Sequence, residues 1–379
     1  MRAAFPNELL SLPPLPGQLV PSDLATLVVA FLLQVGDWAT HDYCRRLKPE
    51  HRPRMGMTIG VPMRYLSSET SHQQEHSGTV HLRDEFLGIA RVAFDIFKID
   101  QPNIAAGIGV EEASELVKNA RARVAAKPPP TDPRDWVRSE AEAGCLWIFE
   151  SPEVGDGLFG CVDIGAGTTD VSFFRLKQKH DGLRWVKHGL AFYSSESSPP
   201  GVDQVDQIIL QHQELDGSQL STVRGHEAEL LDSLGLRAKK EAHDVCVRAF
   251  KETYQKAWRG AYEKEKKQSS WVDYTLFVLG GGSRLASFRN AMMKSVWEGL
   301  LEGRAIAEVR FPEDLCEWST SSPPQANPFE EDATFLLVAY GLSYLGANVP
   351  PVDNPEDVPP LEMSNRKKLP GDQDEYYPK

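Results

Sequence analysis

The residues best suited to chemistry lie in one segment, Phe159–Ser172, which reads FGCVDIGAGTTDVS. An apolar run ends at Asp163, small residues then allow consecutive backbone N–H groups to face one anion, and a second apolar run follows. The carboxylate of Asp163 beside a phosphate is reasonable if a Mg²⁺ ion sits between them, bound through water. The alternative is an ordinary glycine-containing hairpin, but the pattern Asp-x-Gly-x-Gly-Thr-Thr-Asp is more specific than such a turn requires. The segment predicts a phosphate and metal site whose donors are Gly165, Ala166, Gly167, Thr168 and Thr169.

A second glycine-rich segment, Phe277–Leu285, reads FVLGGGSRL and also follows an apolar run. Glycines at the end of a strand let a flat ring approach the backbone closely. Three glycines alone more often form only a flexible turn. Downstream of a phosphate hairpin and followed by a helix, they predict a base-binding segment at Gly280, Gly281, Gly282 and Arg284.

The two segments together resemble the superfamily of actin, sugar kinases and heat-shock chaperones, and they resemble its seventy-kilodalton chaperone branch most. The resemblance implies an actin-like (ribonuclease H-like) ATPase fold of two lobes that binds ATP with Mg²⁺. It implies that Asp163 holds the metal through water and that the turn after it lines the phosphates. Gly280 and Gly281 would pass the ribose and adenine, and Arg284 would flank the base. The family usually has glycine where Ala166 stands.

Weaker matches extend the resemblance to other parts of the chain. Glu140, in SEAEAG, matches the residue that orients or activates the attacking water, although a solvated helix glutamate is the alternative. Asp206, in GVDQVD, matches a family position but also suits a helix cap. Lys239 and Lys240, in RAKK, match positions on the family helix that covers the adenine. The alternative is that they lie on a solvent-exposed helix face, as such lysine pairs usually do. Gly341 would allow two helices to cross closely at the hinge between the lobes.

The elements that position these residues alternate between strands and helices, which predicts an α/β architecture. Early in the chain the apolar spacing predicts a helix from about Asp23 to Arg45, and a polar loop from Ser67 to Gly78. A helix is predicted from Trp136 to Phe149, just before the phosphate hairpin. The charged stretch 227–267 predicts two helices, broken near Gly235 or near Gly260.

Composition narrows the class of partner. The chain has a formal net charge of -13, which disfavours nucleic-acid binding because phosphates would be repelled. The longest apolar run, near Leu24–Leu33, is too short to span a bilayer, so no membrane partner is expected. The 5 cysteines show no CxxC spacing, which fits a reducing cytoplasm better than a zinc site.

Three regions follow from these patterns: a partial first lobe at 1–150, a second lobe at 151–348 and an acidic, proline-rich disordered tail at 349–379. Within the second lobe, a helical upper subdomain is expected at about 203–272. The family opens with another phosphate hairpin, Asp-x-Gly-Thr-Thr, and the first 160 residues contain no Asp-x-Gly. Three explanations for this missing hairpin are open. Met1 could be an internal methionine of a longer reading frame, the missing strands could come from another polypeptide, or the protein could be a family member that no longer hydrolyses ATP. We favour the first.

Four functions fit these features. The leading one is an ATP-dependent conformational switch, with hydrolysis expected if the missing hairpin is supplied and with an unidentified protein partner or client. A filament-forming protein, a small-molecule kinase and a non-catalytic scaffold are the alternatives. The kinase would need an acceptor pocket and a general base, and the sequence identifies neither.

Overall fold

The computed structural model describes twelve stretches of the chain: residues 19–47, 58–63, 71–74, 78–100, 106–150, 154–180, 185–215, 217–271, 274–295, 308–310, 333–344 and 348–359. All structural statements below concern these residues.

The first part of the chain is mostly helical and carries short strands. Its elements, in order, are α1 (Pro21–Leu47), β1 (Ile59–Val61), β2 (Ser71–Gln74), β3 (Gly78–His81), α2 (Leu82–Asp95), a π-helical turn (Ile96–Asp100), α3 (Val110–Ala125), a 3-10 turn (Pro133–Asp135), β4 (Val137–Ser139) and α4 (Glu140–Glu150).

The second part contains the main sheet and the longest helix. Its elements are β5 (Gly157–Ile164), β6 (Thr169–His180), β7 (Trp185–Ser198), α5 (Val202–His212), a 3-10 turn (Gly217–Gln219), α6 (Leu220–Val223), α7 (Glu227–Leu234), α8 (Leu236–Lys264), a 3-10 turn (Gln268–Trp271), β8 (Thr275–Leu279), a 3-10 turn (Gly281–Arg284), α9 (Ala286–Ser295), β9 (Glu308–Arg310), α10 (Ala333–Leu342), β10 (Val352–Asp353) and a last 3-10 turn (Pro355–Asp357).

The main sheet has six strands in the order β10-β7-β6-β5-β8-β9. Strands β5, β6 and β7 form an antiparallel meander, and β8 and β9 then join in parallel. The α/β class predicted from the sequence is thus confirmed, and the five strands β7-β6-β5-β8-β9 have the order of a ribonuclease H-like sheet, as predicted for an actin-like fold. Strands β1 and β4 form a separate parallel pair, and β2 and β3 form an antiparallel hairpin.

Both faces of the main sheet are covered by helices. On one face, the largest hydrophobic cluster joins Val162, Phe173 and Val278 to residues of α5, α7, α8 and α9. On the other face, a second cluster joins Phe159 and Phe174 to residues of α4 and α10. A sheet buried on both faces gives rigid positions at its strand ends, which is where Asp163 and Gly280 lie.

A separate helical core is formed by α1, α2 and α3. Leu27 and Ala30 of α1 pack there against Val92 of α2 and Val117 of α3. By length and composition alone, α1 would also suit a membrane span. Only 22% of its most apolar stretch is buried, and this stretch is longer than the run Leu24–Leu33 on which the sequence-based expectation of no membrane span rested.

Two local predictions were wrong. The helix predicted from Trp136 begins only at Glu140, because Val137–Ser139 pairs in parallel with β1 and Ile59 donates its N–H to the Trp136 carbonyl at 2.8 Å. The loop predicted between Ser67 and Gly78 contains β2, which pairs with β3. Strand β2 (SHQQ) lacks the apolar alternation that marks strands, so periodicity could not reveal it.

The break in the long helical stretch lies at Gly235, whose φ of 85° ends α7, and α8 continues through Gly260. The tail predicted to be disordered from residue 349 carries regular structure in its described part, residues 349–359. There Val352–Asp353 joins the sheet beside β7 and Asn354 forms a capping box with Asp357. The proline and acidic content indicated disorder, but Val349 is buried and anchors this segment.

Candidate functional site

The predicted phosphate hairpin is a tight turn between β5 and β6. Ile164 pairs with Thr169, and the Gly165 N–H donates to the Thr168 carbonyl at 2.9 Å. The N–H groups of the three residues between, Ala166, Gly167 and Thr168, have no acceptor among the described residues. A row of adjacent amides of this kind can bind an anion.

The turn is held from behind by the start of α5. The carbonyls of Gly165 and Ala166 accept hydrogen bonds from the N–H groups of Val202, at 3.0 Å, and Asp203, at 2.7 Å. The hairpin therefore satisfies two of the N–H groups that a helix leaves unpaired at its beginning. Gly201 makes this approach possible, because a Cβ there would lie 2.6 Å from the Ala166 carbonyl oxygen.

Three carboxylates line a small cleft where β5, β6 and α4 meet. Asp163 and Asp170 are paired across β5 and β6, and Glu140 begins α4. The cleft is completed by Pro62, Met63, Ala141, Cys161, Ser172 and Ser195. Negative charges gathered at the carboxyl end of a strand are the environment that a divalent cation would neutralise.

Burial and mutual repulsion shift the titration of these groups. Burial, with the charges of Asp163 and Asp170, raises the pKa of Glu140 to about 8. Burial and the charge of Asp170 raise the pKa of Asp163 to about 7. Burial also raises the pKa of Asp170, against hydrogen bonds from Ser197 and Thr168 that lower it. The carboxylates thus resist ionising together without a cation beside them.

The residues present suit a magnesium–phosphate pair. Within the described stretches, no three acidic, histidine or cysteine side chains are spaced to enclose a metal ion by themselves. Mg²⁺ is commonly bound by one or two carboxylates together with phosphate oxygens. The Asp163 carboxylate would supply the first kind of ligand, and the adjacent amides of Ala166–Thr168 would bind the phosphate that supplies the second.

The second glycine segment lies directly beside the hairpin. Strands β5 and β8 are parallel neighbours, and Asp163 is in register with Leu279. Gly280 has a φ of 79°, and a Cβ on it would collide with the Asp163 carboxylate and lie 2.5 Å from the Ile164 carbonyl oxygen. Gly282 is buried against Ile164 and Val202 in the same way. The structure therefore brings the two predicted segments together.

Other predicted residues are not joined to the hairpin by any described contact. Asp206 is buried in α5, where Arg224 bonds to it at 3.1 Å, and burial raises the pKa of Asp206 to about 6 although Arg224 lowers it. Lys239 pairs with Asp232 at 2.7 Å. Lys240 is exposed on an open groove of α8, and Arg284 is also exposed. Their roles in binding remain predictions.

Sequence reasoning missed one residue of the cleft and one that supports it. Asp170 accepts a hydrogen bond from Thr168 Oγ1 at 2.7 Å and faces the cleft beside Asp163. It stands within the quoted motif, and the hairpin register would have placed it opposite Asp163. Gly60 of β1 is packed against Glu140, since a Cβ there would lie 2.9 Å from Glu140 Cγ. Only the spatial neighbourhood reveals this second contact.

The helices that flank the cleft cross very closely. Gly341 of α10 lies on Ala143 of α4, and a Cβ on Gly341 would be 2.7 Å from Ala143 Cα, so the predicted close crossing is confirmed. The fully buried Arg138 donates to the carbonyls of Gly341, at 2.6 Å, and Tyr344, at 2.9 Å. These bonds hold the carboxyl end of α10 to the strand that leads into Glu140.

Comparison with known proteins gives weak similarities only. No family model and no curated protein match the chain. Among solved structures, ethanolamine utilization protein EutJ from Carboxydothermus hydrogenoformans is similar with 13% identity and a TM-score of 0.29, over 58% of this chain and 61% of its own. A PilM-PilN type IV pilus biogenesis complex is similar with 17% identity and a TM-score of 0.31, over 62% of this chain and 57% of its own. The chain thus spans about three fifths of the length of each structure.

Proposed function

We propose that the chain binds ATP with Mg²⁺ at the hairpin turn and the adjoining Gly280 segment and acts as an actin-like conformational switch. The observation that carries this proposal is the placement of Asp163: the carboxylate lies at the end of β5, against Gly280 and beside three amides without described acceptors. Phosphates would bind the amides of Ala166–Thr168, and the metal would bind Asp163 through water.

The switch would operate through the helices that meet at the cleft. Glu140 begins α4, which crosses α10 at Gly341, so a ligand that moves Glu140 would also move this crossing. Hydrolysis by this chain is a further prediction, with Glu140 positioning the attacking water. A protein partner and a cytoplasmic location also remain predictions.

A non-catalytic scaffold is the second candidate. It is favoured if no cation binds beside Glu140, because burial and the charges of Asp163 and Asp170 then raise the pKa of Glu140 to about 8, and a protonated carboxyl cannot take a proton from water. Binding and hydrolysis must therefore be measured separately.

The test is calorimetric titration of the full chain with Mg-ATP, with Asp163→Ala as the variant. Asp156→Ala is the matched control, because Asp156 is a half-exposed carboxylate that pairs with Arg175 near the opposite end of β5. We expect wild type and the control to bind and Asp163→Ala to bind at least tenfold more weakly. Equal binding by all three would remove the site assignment.

Phosphate release and light scattering on the same samples separate the remaining alternatives. Release by wild type that Glu140→Gln abolishes would support an ATPase. Binding without release would support the scaffold. ATP-dependent growth of scattering would indicate filaments instead of a switch.

A further inference from the structure

The main sheet ends in a strand that comes from far along the chain. Residues 348–359 cross the outer edge of β7, where Val352 pairs in parallel with Leu190 and Asp353 with Ala191. The Leu190 N–H donates to the Pro351 carbonyl at 2.9 Å. We call residues 349–357 the edge segment.

The edge of β7 is shaped to take this segment. Gly189 permits the contact, because a Cβ on it would lie 2.6 Å from the Pro351 carbonyl oxygen. Val352 packs against the hydrophobic cluster that contains Leu190 and Phe192, and Val349 is buried. Main-chain bonds with side-chain anchors on alternate sides are how extended peptides add to a sheet.

Charge also matches across this contact. Lys177 of β6 forms an ion pair with Asp353, and Lys264 at the end of α8 donates to the Pro355 carbonyl. The edge segment carries two further acids, Glu356 and Asp357, in its last turn. Lys177 therefore favours a carboxylate at the position of Asp353, whereas Lys264 bonds to a main-chain carbonyl that any extended peptide offers.

The segment is held by few bonds. Its pairing with β7 covers two residues, whereas β6 pairs with β7 from Thr169 to His180. Lys177 and Asp353 are both more than a third exposed, at 43% and 37%, and exposed ion pairs contribute little to stability. Sheet edges accept other strands readily, so such a short strand is displaceable.

We propose that the edge of β7 at Gly189–Ala191, with Lys177 and Lys264, is a strand-addition site for an extended acidic peptide of a partner protein. The chain's own edge segment occupies this site in cis and is the ligand that the partner peptide displaces. The partner's peptide has the chemistry of the edge segment: two apolar anchors three residues apart, followed by a carboxylate. This proposal is independent of nucleotide binding.

The test uses the full chain and a fluorescein-labelled synthetic peptide of residues 348–359, NVPPVDNPEDVP. Val352→Asp in the full chain removes the apolar anchor of its own segment and opens the site. We expect fluorescence anisotropy to show at least tenfold tighter peptide binding to Val352→Asp than to wild type. A peptide carrying Asp353→Lys, or a host that also carries Gly189→Val, should lose at least tenfold.

Equal peptide binding by both hosts, or no binding by either, would overturn the proposal. Hydrogen exchange on wild type tests it without any variant: the Leu190 amide should exchange at least 100-fold faster than amides in the middle of β6. Exchange as slow as in β6 would show a permanent strand and would also overturn it. A third outcome is that the wild-type chain is a dimer and that Gly189→Val makes it a monomer. The site would then bind the edge segment of a second copy, and the proposal of a separate partner would be overturned.

Discussion

Gly280 lies directly against Asp163, so that any side chain at residue 280 would collide with the carboxylate oxygen Oδ1. Asp163 is the penultimate residue of β5, and Gly280 directly follows its parallel neighbour β8. Their contact ties the second glycine segment to the position of the proposed metal-binding carboxylate.

Gly280→Ala is therefore expected to weaken Mg-ATP binding at least tenfold. The added methyl group displaces Asp163, and the φ of 79° is strained for alanine, which also lowers the free energy of unfolding by about 1–3 kcal/mol. Calorimetry and urea denaturation measure the two effects. Gly155→Ala is the control, since a Cβ there meets nothing within 4 Å. Unchanged binding by Gly280→Ala would separate this glycine from the site.

The buried pair Glu142 and Arg138 should make stability depend on pH. Burial raises the pKa of Glu142 to about 7, from an ordinary 4.5, although Arg138 lowers it. Because the folded chain then binds the proton more tightly than the unfolded chain, the free energy of unfolding falls as pH rises from 4.5 to about 7. The loss assigned to this group is on the order of 3 kcal/mol.

Glu142→Gln removes this contribution and leaves the bonds of Arg138 to Gly341 and Tyr344 in place. Urea denaturation at pH 5 and pH 8 should show a smaller decrease for the variant than for wild type. The same decrease in both would mean that the Glu142 carboxyl is not protonated in the folded chain at pH 5 to 7.

Asp95 should be the most sensitive charge of the first helical core. Its carboxylate is only 2% exposed and bonds to Arg123, at 2.6 Å, and to Lys127. Burial alone would raise the pKa of Asp95, but these bonds outweigh it and the pKa is lowered. Asp95→Asn should lower the free energy of unfolding by about 2 kcal/mol, because Arg123 and Lys127 lose a buried partner.

Asp100→Asn is the matched control, because Asp100 also bonds to Arg123 but is 25% exposed, and its loss should be below about 1 kcal/mol. The Asp95 contribution is present above its ordinary pKa and is lost as pH falls through the lowered folded value. The difference between wild type and Asp95→Asn should therefore shrink toward pH 2. Equal losses for the two variants at neutral pH would contradict this ranking.

Two glycines in helices should respond to alanine with opposite signs. Gly341→Ala forces a methyl group into the backbone of Ala143 and should lower the free energy of unfolding by about 3 kcal/mol. A Cβ on Gly88 of α2 would meet open space, so Gly88→Ala should raise the free energy of unfolding by about 0.5–1 kcal/mol. Thermal unfolding of both variants gives the comparison, and a destabilised Gly88→Ala would reject it.

The sequence predicted the hairpin and its neighbour because both are strand-end motifs. Asp163 and Gly280 each follow an apolar run, and the carboxyl ends of parallel strands meet at one edge of a sheet. The α/β class followed from the same alternation. Nothing in the spacing alone showed that β8 would lie next to β5, which depends on packing across the whole sheet.

Contacts between residues far apart in the chain could not be predicted from the sequence. Gly201 lies against the backbone of the turn, and Gly60 lies against the side chain of Glu140. Neither contact leaves a recognisable pattern in the local sequence. Lys239 matched a ligand position in the resemblance, yet its described partner is Asp232, at the end of the preceding helix. The composition of the edge segment indicated disorder because its prolines and acidic residues outnumber the two valines, Val349 and Val352, that anchor it.

The bonds from Val202 and Asp203 to the hairpin have a mechanical consequence. They fasten the start of α5, and with it the helices α7 and α8 that pack on α5, to the loop whose amides would face a phosphate. We therefore expect a tilt of those helices to displace the turn, and a ligand that displaces the turn to tilt the helices. Movement at the four-residue turn is thereby transmitted to the whole helical layer.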